Sequence, residues 1–242
     1  VNAYGRDIGL EEGFTQLLEL IEKIDGIRWV RFMTSHPRDF SLAAIKRIAR
    51  LSKVCEQYHL PVQSGSNYIL ELMKRGYSRE KYLKLVDAVR EHIKDACLST
   101  DIICGFPGES ESDFKDTLDL VEKVRYESAF MYYYSPRPGT EAAKIADQLS
   151  EEEKKDRLAR LIEVQNRISL EESSQLIGRE FEVLVESTAA RDQNDLVGKT
   201  RSGRSVNFPG NTSLIGSYMR VRIEQARNWT LSGRLLSPTP ED

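Results

Sequence analysis

The 242-residue sequence contains few cysteines and no long hydrophobic run. Its three cysteines, Cys55, Cys97 and Cys104, are too few and too widely spaced for a disulfide framework. Their spacing matches no zinc or iron–sulfur pattern, so we expect reduced thiols and no metal site in this chain. The absence of an eighteen-residue apolar stretch and of a signal-peptide pattern predicts a cytoplasmic protein without a membrane partner.

Motifs of several enzyme classes are also missing. There is no CxxxCxxC, no Walker-type GKS/T, no HExxH and no convincing Ser–His–Asp arrangement. From the residues alone we expect an α/β ligand-binding domain with a β appendage, and the catalytic residues stay unknown. The oligomeric state is not indicated either.

Acidic and basic residues are unevenly distributed, although the net charge is only −3. Residues 176–236 contain nine Lys/Arg against six Asp/Glu, whereas residues 1–175 contain 26 against 30. The C-terminal part is therefore net positive and the rest net negative. By itself this modest bias is weak evidence for nucleic-acid binding.

Short β-rich runs alternate with amphipathic segments along the first three-quarters of the chain. We predict strands over 27–33, 58–62, 97–104 and 129–134, and helices over 13–24, 41–55, 68–74, 79–93 and 111–124. This alternation is typical of βαβ units and a parallel sheet that is buried on both faces or closed into a barrel. A long charged helix over about 150–176 follows.

Beyond Gly178 the pattern changes to short strands separated by turn residues. The predicted strands cover 181–187, 196–200, 205–208, 218–225 and 231–235. Regular short strands of this kind indicate a small antiparallel β-barrel. We therefore expect two domains, residues 1–175 and 176–237.

Unusual polar sequences follow the predicted strands of the first domain: TSHP at 34–37, QSGS at 63–66, GFPGE at 105–109 and SPRPGT at 135–140. Loops after parallel strands often carry the chemistry of a fold. Their hydroxyls, glycine N–H groups and Arg137 suit a polar or anionic ligand. Each also has a structural alternative, namely a helix cap, a tight turn or a surface salt bridge.

Basic residues cluster in the second domain within GKTRSGRSVNF. Lys199, Arg201 and Arg204 are separated by small residues, with Phe208 nearby. Such a segment can follow a phosphate backbone and offer a ring for stacking. A solvated hairpin tip is the alternative interpretation.

Taken together, these motifs resemble the MiaB-type tRNA methylthiotransferases of the radical SAM class. The matching stretches are VNAYGRD, RFMTSHPRDFS, HLPVQSGSNYILELMKRGYSREKYL, STDIICGFPGESESDF and YYYSPRPGTEAA. The last β segment, with VGKTRSGRSVNFPG and IGSYMRVRIEQARNWTLSGRL, resembles a TRAM domain, an OB-like RNA-binding module. The resemblance covers essentially the whole chain.

The resemblance implies an α/β fold: a partial (β/α)6 TIM-like radical SAM barrel lacking its N-terminal strand and cluster loop, followed by the small β-barrel. It implies addition of a methylthio group at C2 of N6-isopentenyladenosine in a tRNA anticodon stem-loop. The implied cofactors are S-adenosylmethionine and two 4Fe–4S clusters, whose ligands would lie upstream of Val1. We therefore expect this chain to be inactive alone.

Two alternatives remain open. One is a sister branch that modifies threonylcarbamoyl-adenosine in tRNA or a ribosomal-protein aspartate, and the other is a non-catalytic RNA-binding fragment.

Candidate site residues are carried over from the same resemblance. The residues implied at the cofactor are Asn2, Tyr4, Thr34, Ser35, Gln63, Ser64, Asp101, Ile103, Gly105 and Arg137. Those implied at RNA are Lys199, Arg201, Arg204 and Phe208. We expect that removing the Arg201 and Arg204 charges weakens tRNA binding and lowers its salt dependence.

Overall fold

The computed structural model describes residues 1–33, 36–190 and 195–238. A parallel α/β part precedes a closed β-barrel. The helices are α1 (Gly13–Glu22), α2 (Leu42–Ile48), α3 (Asn67–Leu72), α4 (Arg79–His92), α5 (Glu111–Val124) and α6 (Glu151–Ser174). The strands are β1 (Gln57–His59), β2 (Cys97–Cys104), β3 (Ser128–Tyr133), β4 (Glu180–Thr188), β5 (Asp195–Thr200), β6 (Ser205–Pro209), β7 (Tyr218–Ala226) and β8 (Thr230–Pro238).

Strands β1, β2 and β3 form a parallel sheet in that order, which confirms the predicted α/β class. The register places His59 opposite Ser99 and Asp101 opposite Phe130. The run predicted as a strand over 27–33 contributes only a single parallel bridge, between Val30 and Val54. That prediction was therefore too long: Arg28, Trp29 and Arg31 contact the C-terminal barrel, and Phe32 packs against Phe14 and Tyr58 of the first core without a strand partner among the described residues.

Serine caps begin the helices that connect these strands. The side chains of Ser41, Ser66 and Ser78 accept a backbone N–H at the starts of α2, α3 and α4. Ser110 and Ser150 form complete capping boxes at α5 and α6. Each cap satisfies N–H groups that the first turn of a helix leaves unpaired. Local sequence thus fixes where these helices begin.

The two faces of the parallel sheet differ in burial. One face packs against the helices in a core that includes Tyr82 and Tyr126, whose hydroxyls are 2.8 Å apart. The opposite face, which we call the open face, carries His59, Ser99, Asp101, Phe130 and Tyr132. The rings of Phe130 and Tyr132 on this open face are 51% and 56% exposed.

The C-terminal strands close into a five-stranded barrel in the order β4-β5-β6-β8-β7. Four of the pairings are antiparallel, and β6 pairs with β8 in parallel. An odd number of strands cannot close with alternating directions throughout, so at least one pairing must be parallel. The predicted small barrel is confirmed, with that one departure from a purely antiparallel sheet.

Candidate functional site

The loops that follow β1, β2 and β3 meet at the carboxyl edge of the parallel sheet. Gln63, beyond β1, forms a parallel bridge with Ile102 of β2. Phe106, beyond β2, packs edge-on against Tyr134, beyond β3, with ring centroids 5.1 Å apart. The QSGS and GFPGE loops and the residue that precedes SPRPGT are therefore brought to one edge, as expected for strand ends in a parallel sheet.

The most polar feature of the open face is a line of three side chains. The His59 ring contacts Ser99 Oγ through Nδ1 at 3.0 Å and Asp101 Oδ2 through Nε2 at 3.3 Å. His59 is only 5% exposed and makes a T-shaped contact with the Phe130 ring, whereas the Asp101 side chain is 31% exposed. The buried imidazole thus holds a carboxylate that solvent or a ligand can reach. Sequence reasoning missed His59 and Ser99, because they lie within strands and not in loops.

Gln63 and Ile103 lie beside Asp101. The Gln63 backbone is left-handed, with φ +73°, and is held by hydrogen bonds from Gln63 N to Asp101 O and from Ile103 N to Gln63 O. A non-glycine residue in this conformation is sparsely populated and persists only where its surroundings hold it. Ile103 packs at the edge of the Phe106 and Tyr134 cluster. Both predicted residues are therefore held in fixed positions at the sheet edge.

Ser64 does not face the sheet edge as predicted. It is fully buried, and its hydroxyl contacts Thr117 Oγ1 at 3.3 Å and accepts Ser66 N–H at 3.2 Å. A β-carbon on the adjacent Gly65 would lie 2.4 Å from Asp116 O. The QSGS segment is therefore packed against α5, and the Ser64 hydroxyl is not available to a cofactor.

The GFPGE turn also differs from its prediction as an anion site. Gly105 N–H donates to the Glu109 carboxylate at 2.9 Å, and Arg157 of α6 donates to the same carboxylate at 2.7 Å. Burial raises the pKa of Glu109, although both hydrogen bonds oppose that shift. Gly105 itself is buried against Lys154. The anion at this turn is therefore the Glu109 side chain of the protein itself, and the cofactor role of Gly105 stays a prediction.

The N-terminal segment joins the sheet edge through His36 and Tyr77. Asn2 exchanges hydrogen bonds with the His36 backbone at 2.9 and 3.2 Å. The His36 ring lies edge-on to Tyr77, whose hydroxyl donates to the carbonyls of Pro61 and Val62. Asn2 therefore approaches the loop after β1, whereas Thr34 and Ser35 lie outside the described residues.

His36 serves as a cap, the structural alternative for its loop. Its Nδ1 accepts Arg38 N–H at 3.3 Å, and burial together with Arg75 lowers its pKa. The neighbouring Asp39 carboxylate is bound by Arg38 and Arg6, which lower its pKa to about 2. These charges border a cleft of about 290 Å³ that Asn2 and Tyr4 also line.

Tyr4 and Arg137 are both solvent-exposed. The Tyr4 side chain is 51% exposed. The Arg137 side chain makes no hydrogen bond or ion pair with residues 1–33, 36–190 or 195–238, and only its carbonyl is engaged, by Thr140. The surface salt bridge, the structural alternative for Arg137, is absent from the part of the chain that the structure describes, and its ligand role stays a prediction.

Arg201 and Arg204 were predicted to bind RNA, but the structure places both at the contact between the two parts of the chain. Arg201 donates to the Glu56 carboxylate at 3.0 Å and to the carbonyls of Ser52 and Val54. Arg204 donates to Glu127 at 3.3 Å. Their guanidinium groups are therefore engaged by the sheet domain, and the RNA role of both residues stays a prediction.

Further contacts fix the barrel against the segment before β1. Arg28 pairs with Glu182 at 2.6 Å and stacks on Tyr218, and Arg31 donates to the Thr200 carbonyl at 2.7 Å. Trp29 lies edge-on to Tyr218. The turn between β5 and β6 therefore sits at the amino ends of β1 and β3, opposite the edge that carries the polar loops.

The prediction that Phe208 stacks on RNA is wrong. Phe208 is 0% exposed and belongs to the barrel core with Val183 and Leu196. Alternation along β6 directs Val206 and Phe208 inward, as the period of a strand requires. Lys199, in contrast, is half-buried and lies 3.4 Å from the Ser205 hydroxyl.

An exposed aromatic residue that sequence reasoning overlooked lies near Lys199. Trp229 is 51% exposed in the turn between β7 and β8. The signal was present in the sequence as Arg227-Asn228-Trp229, a cation and an indole flanking a turn residue.

The described residues offer no iron or zinc site. They contain no group of three or more His, Cys, Asp or Glu side chains arranged to hold a metal. All three cysteines are buried, and burial raises the pKa of Cys104 to about 12. A buried neutral thiol is a poor metal ligand, because the thiolate is the binding form. The same part of the chain contains no helix long and apolar enough to cross a membrane.

Comparisons with known proteins agree with this two-part organisation. Residues 2–121 match the model of the radical SAM superfamily, and residues 174–236 match that of the TRAM domain. The chain is 51% identical over 98% of its length to the tRNA-2-methylthio-N(6)-dimethylallyladenosine synthase of Moorella thermoacetica. It is 50% identical over 98% to the protein of that name from Thermoanaerobacter pseudethanolicus. The chain spans about half the length of these relatives, 53% and 50%.

Among solved structures, coproporphyrinogen III oxidase from Escherichia coli, a radical SAM enzyme, has a similar fold. It superposes with a TM-score of 0.55 at 15% sequence identity, covering 88% of this chain and 51% of that one. At this identity the likeness concerns the fold alone.

Proposed function

Because the chain belongs to the radical SAM superfamily and carries a TRAM domain, we propose that it supplies the cofactor-binding sheet and the RNA-binding barrel of a tRNA methylthiotransferase. The observation that carries this proposal is about 50% identity over 98% of the chain to synthases named for 2-methylthio-N(6)-dimethylallyladenosine. The reaction would add a methylthio group at C2 of that base beside the anticodon. A domain boundary near residue 175 and a cytoplasmic location, where tRNA is found, belong to the same proposal.

We assign S-adenosylmethionine to the carboxyl edge and open face of the parallel sheet. When bound, this cofactor supplies the methyl group and the radical chemistry for which the superfamily is named. The fit rests on Asp101, an accessible carboxylate held by His59, with the exposed rings of Phe130 and Tyr132 on the same face. Asp101 would accept hydrogen bonds from the ligand's hydroxyl or amine groups, and Ile103 would contact its apolar surface.

Iron–sulfur chemistry is a property of the radical SAM family. The described residues do not fit such a cluster, since their cysteines are buried and no group of ligands converges. We therefore assign no step of the reaction to a cluster held by these residues. What this part of the chain contributes is orientation of the cofactor and binding of RNA.

Binding of anticodon stem-loop RNAs tests the proposed substrate. We expect the chain to bind a stem-loop carrying N6-isopentenyladenosine about tenfold or more tightly than the unmodified one, because burying each apolar carbon of that group contributes about 0.8 kcal/mol. Fluorescence anisotropy with matched stem-loops measures the difference. A preference for threonylcarbamoyl-adenosine, or for a ribosomal protein over any RNA, would instead favour a sister branch of the family.

A further inference from the structure

The basic residues of the C-terminal barrel fall into two groups. Most are paired with carboxylates: Arg179 with Asp95, Arg201 with Glu56, Arg204 with Glu127, Arg220 with Glu180 and Arg234 with Glu224. In the described part of the barrel, Lys199, Arg222 and Arg227 have no such partner. These unpaired cations are the ones whose charge remains available to an anionic ligand.

Lys199 belongs to a row of polar residues that leads to Trp229. Lys199 of β5 is paired in register with Ser205 of β6, and Ser205 with Thr230 of β8. Trp229 immediately precedes Thr230, in a turn closed by a hydrogen bond from Arg227 N to Thr230 O at 2.9 Å. The row therefore ends at an exposed indole beside a second unpaired cation.

A cleft of about 210 Å³ opens between this row and the parallel sheet. The barrel lines it with Lys199, Ser205, Asn228 and Trp229, and the sheet lines it with residues that include Gln57, Ser99 and Ser128. Glu127 is the one acidic residue among the described residues that line it, and it accepts hydrogen bonds from Leu98 N–H and from Arg204, which also lines the cleft. The cleft thus combines small polar groups, an accessible aromatic ring and one unpaired lysine.

We propose that this interdomain cleft, which we call the Trp229 cleft, binds one unpaired nucleotide of the RNA substrate. The base stacks on Trp229, Asn228 and Ser205 offer polar contacts, and Lys199 and Arg227 face the flanking phosphates. Exposed rings with neighbouring cations bind single-stranded nucleic acid without requiring a particular base. The proposal rests on the proposed function and places the RNA contact at this cleft, which Arg204 lines while paired with Glu127, and not at Arg201 or the buried Phe208.

Tryptophan fluorescence gives a direct readout. The sequence has two tryptophans, and Trp29→Phe leaves Trp229 as the only indole. In that variant, adding an anticodon stem-loop quenches Trp229 emission, whereas a fully paired duplex of equal charge does so far less. Trp229→Leu in the unsubstituted chain weakens stem-loop binding by about 5- to 150-fold, the range expected for loss of one base stack. Trp229→Phe retains most of the affinity.

The charges are tested separately. Lys199→Gln lowers the slope of log affinity against log salt by about 0.7, the value for one phosphate contact in a single strand. Arg220→Gln, a control at a paired arginine in the same barrel, leaves the slope unchanged. Circular dichroism checks that each variant is folded.

The outcomes separate this inference from the proposed function. Stem-loop binding that is unchanged by Trp229→Leu, with no quenching of Trp229, overturns the cleft assignment and leaves the proposed function standing. If the unsubstituted chain binds neither stem-loop nor duplex, both proposals are wrong.

Discussion

Replacing Arg157 by alanine is expected to lower the free energy of unfolding by about 3–5 kcal/mol, since it leaves the buried Glu109 carboxylate without its cationic partner. The Glu109 side chain is 1% exposed and that of Arg157 9%, with Nη1 and Oε1 2.7 Å apart. Urea unfolding followed by circular dichroism measures the loss. Arg160→Ala is the matched control, because Arg160 lies on the same helix and forms a more exposed pair with Glu111. Arg160→Ala should lower the free energy of unfolding by less than about 1 kcal/mol.

The pH dependence of this deficit is also predicted. Burial raises the pKa of Glu109 in the folded state above that in the unfolded state. A carboxyl group of this kind favours folding while it is protonated and loses that contribution as the pH rises through its folded pKa. Without Arg157 the deficit should therefore widen as the pH rises above about 4.3, the ordinary Glu value. Equal losses for Arg157→Ala and Arg160→Ala would contradict this account of α6.

The double substitution Arg201→Ala with Arg204→Ala is expected to release the barrel from the sheet domain. Each arginine donates to a carboxylate that is partly buried, Glu56 at 27% or Glu127 at 13% exposure, and hydrogen bonds to charged groups contribute about 1.5–3 kcal/mol each. We expect a total loss of about 3 kcal/mol or more. Thermal unfolding should separate into two transitions, and the radius of gyration from small-angle scattering should increase.

The control removes the same charge from the same barrel. Arg220→Ala with Arg234→Ala breaks ion pairs whose arginines are 50% and 58% exposed, so the stability should change by less than about 1 kcal/mol per pair. If both double variants lose RNA affinity equally while the domains stay docked, Arg201 and Arg204 act on RNA through their charge, and their assignment to the domain contact is wrong.

Local sequence predicted the parts of the fold that depend on neighbouring residues. Strand β2 and helix α5 have the predicted bounds, because an apolar run defines the first and the Ser110 cap begins the second. Helix α2 was predicted over 41–55 but ends at Ile48. The apolar stripe continues to Leu51, but the backbone N–H groups of Arg50 and Leu51 already bond to carbonyls three residues earlier, not four. The spacing of apolar residues therefore did not show where the α-helix ends.

The site was less predictable, because its key contacts join residues far apart in sequence. The loops could be assigned to one edge, since parallel strands all end there. The support of Asp101 by His59 depends on sheet register, and the pairing of Arg201 with Glu56 depends on how two domains dock. Phe208 and Trp229 show the same limit for the barrel, since the alternation of β6 buries the Phe208 ring whereas the turn between β7 and β8 exposes the Trp229 ring.

Nucleoside analysis of tRNA tests the central claim most directly. The complete open reading frame that encodes this chain is expressed in a bacterial strain whose tRNA retains N6-isopentenyladenosine but lacks its methylthio group. Digested tRNA is then analysed by mass spectrometry. Our account predicts that 2-methylthio-N6-isopentenyladenosine appears and that Asp101→Asn reduces it. The assignment would be contradicted if the isopentenyladenosine still lacked the methylthio group. It would also be contradicted if the methylthio group were found only on threonylcarbamoyl-adenosine or on a ribosomal protein.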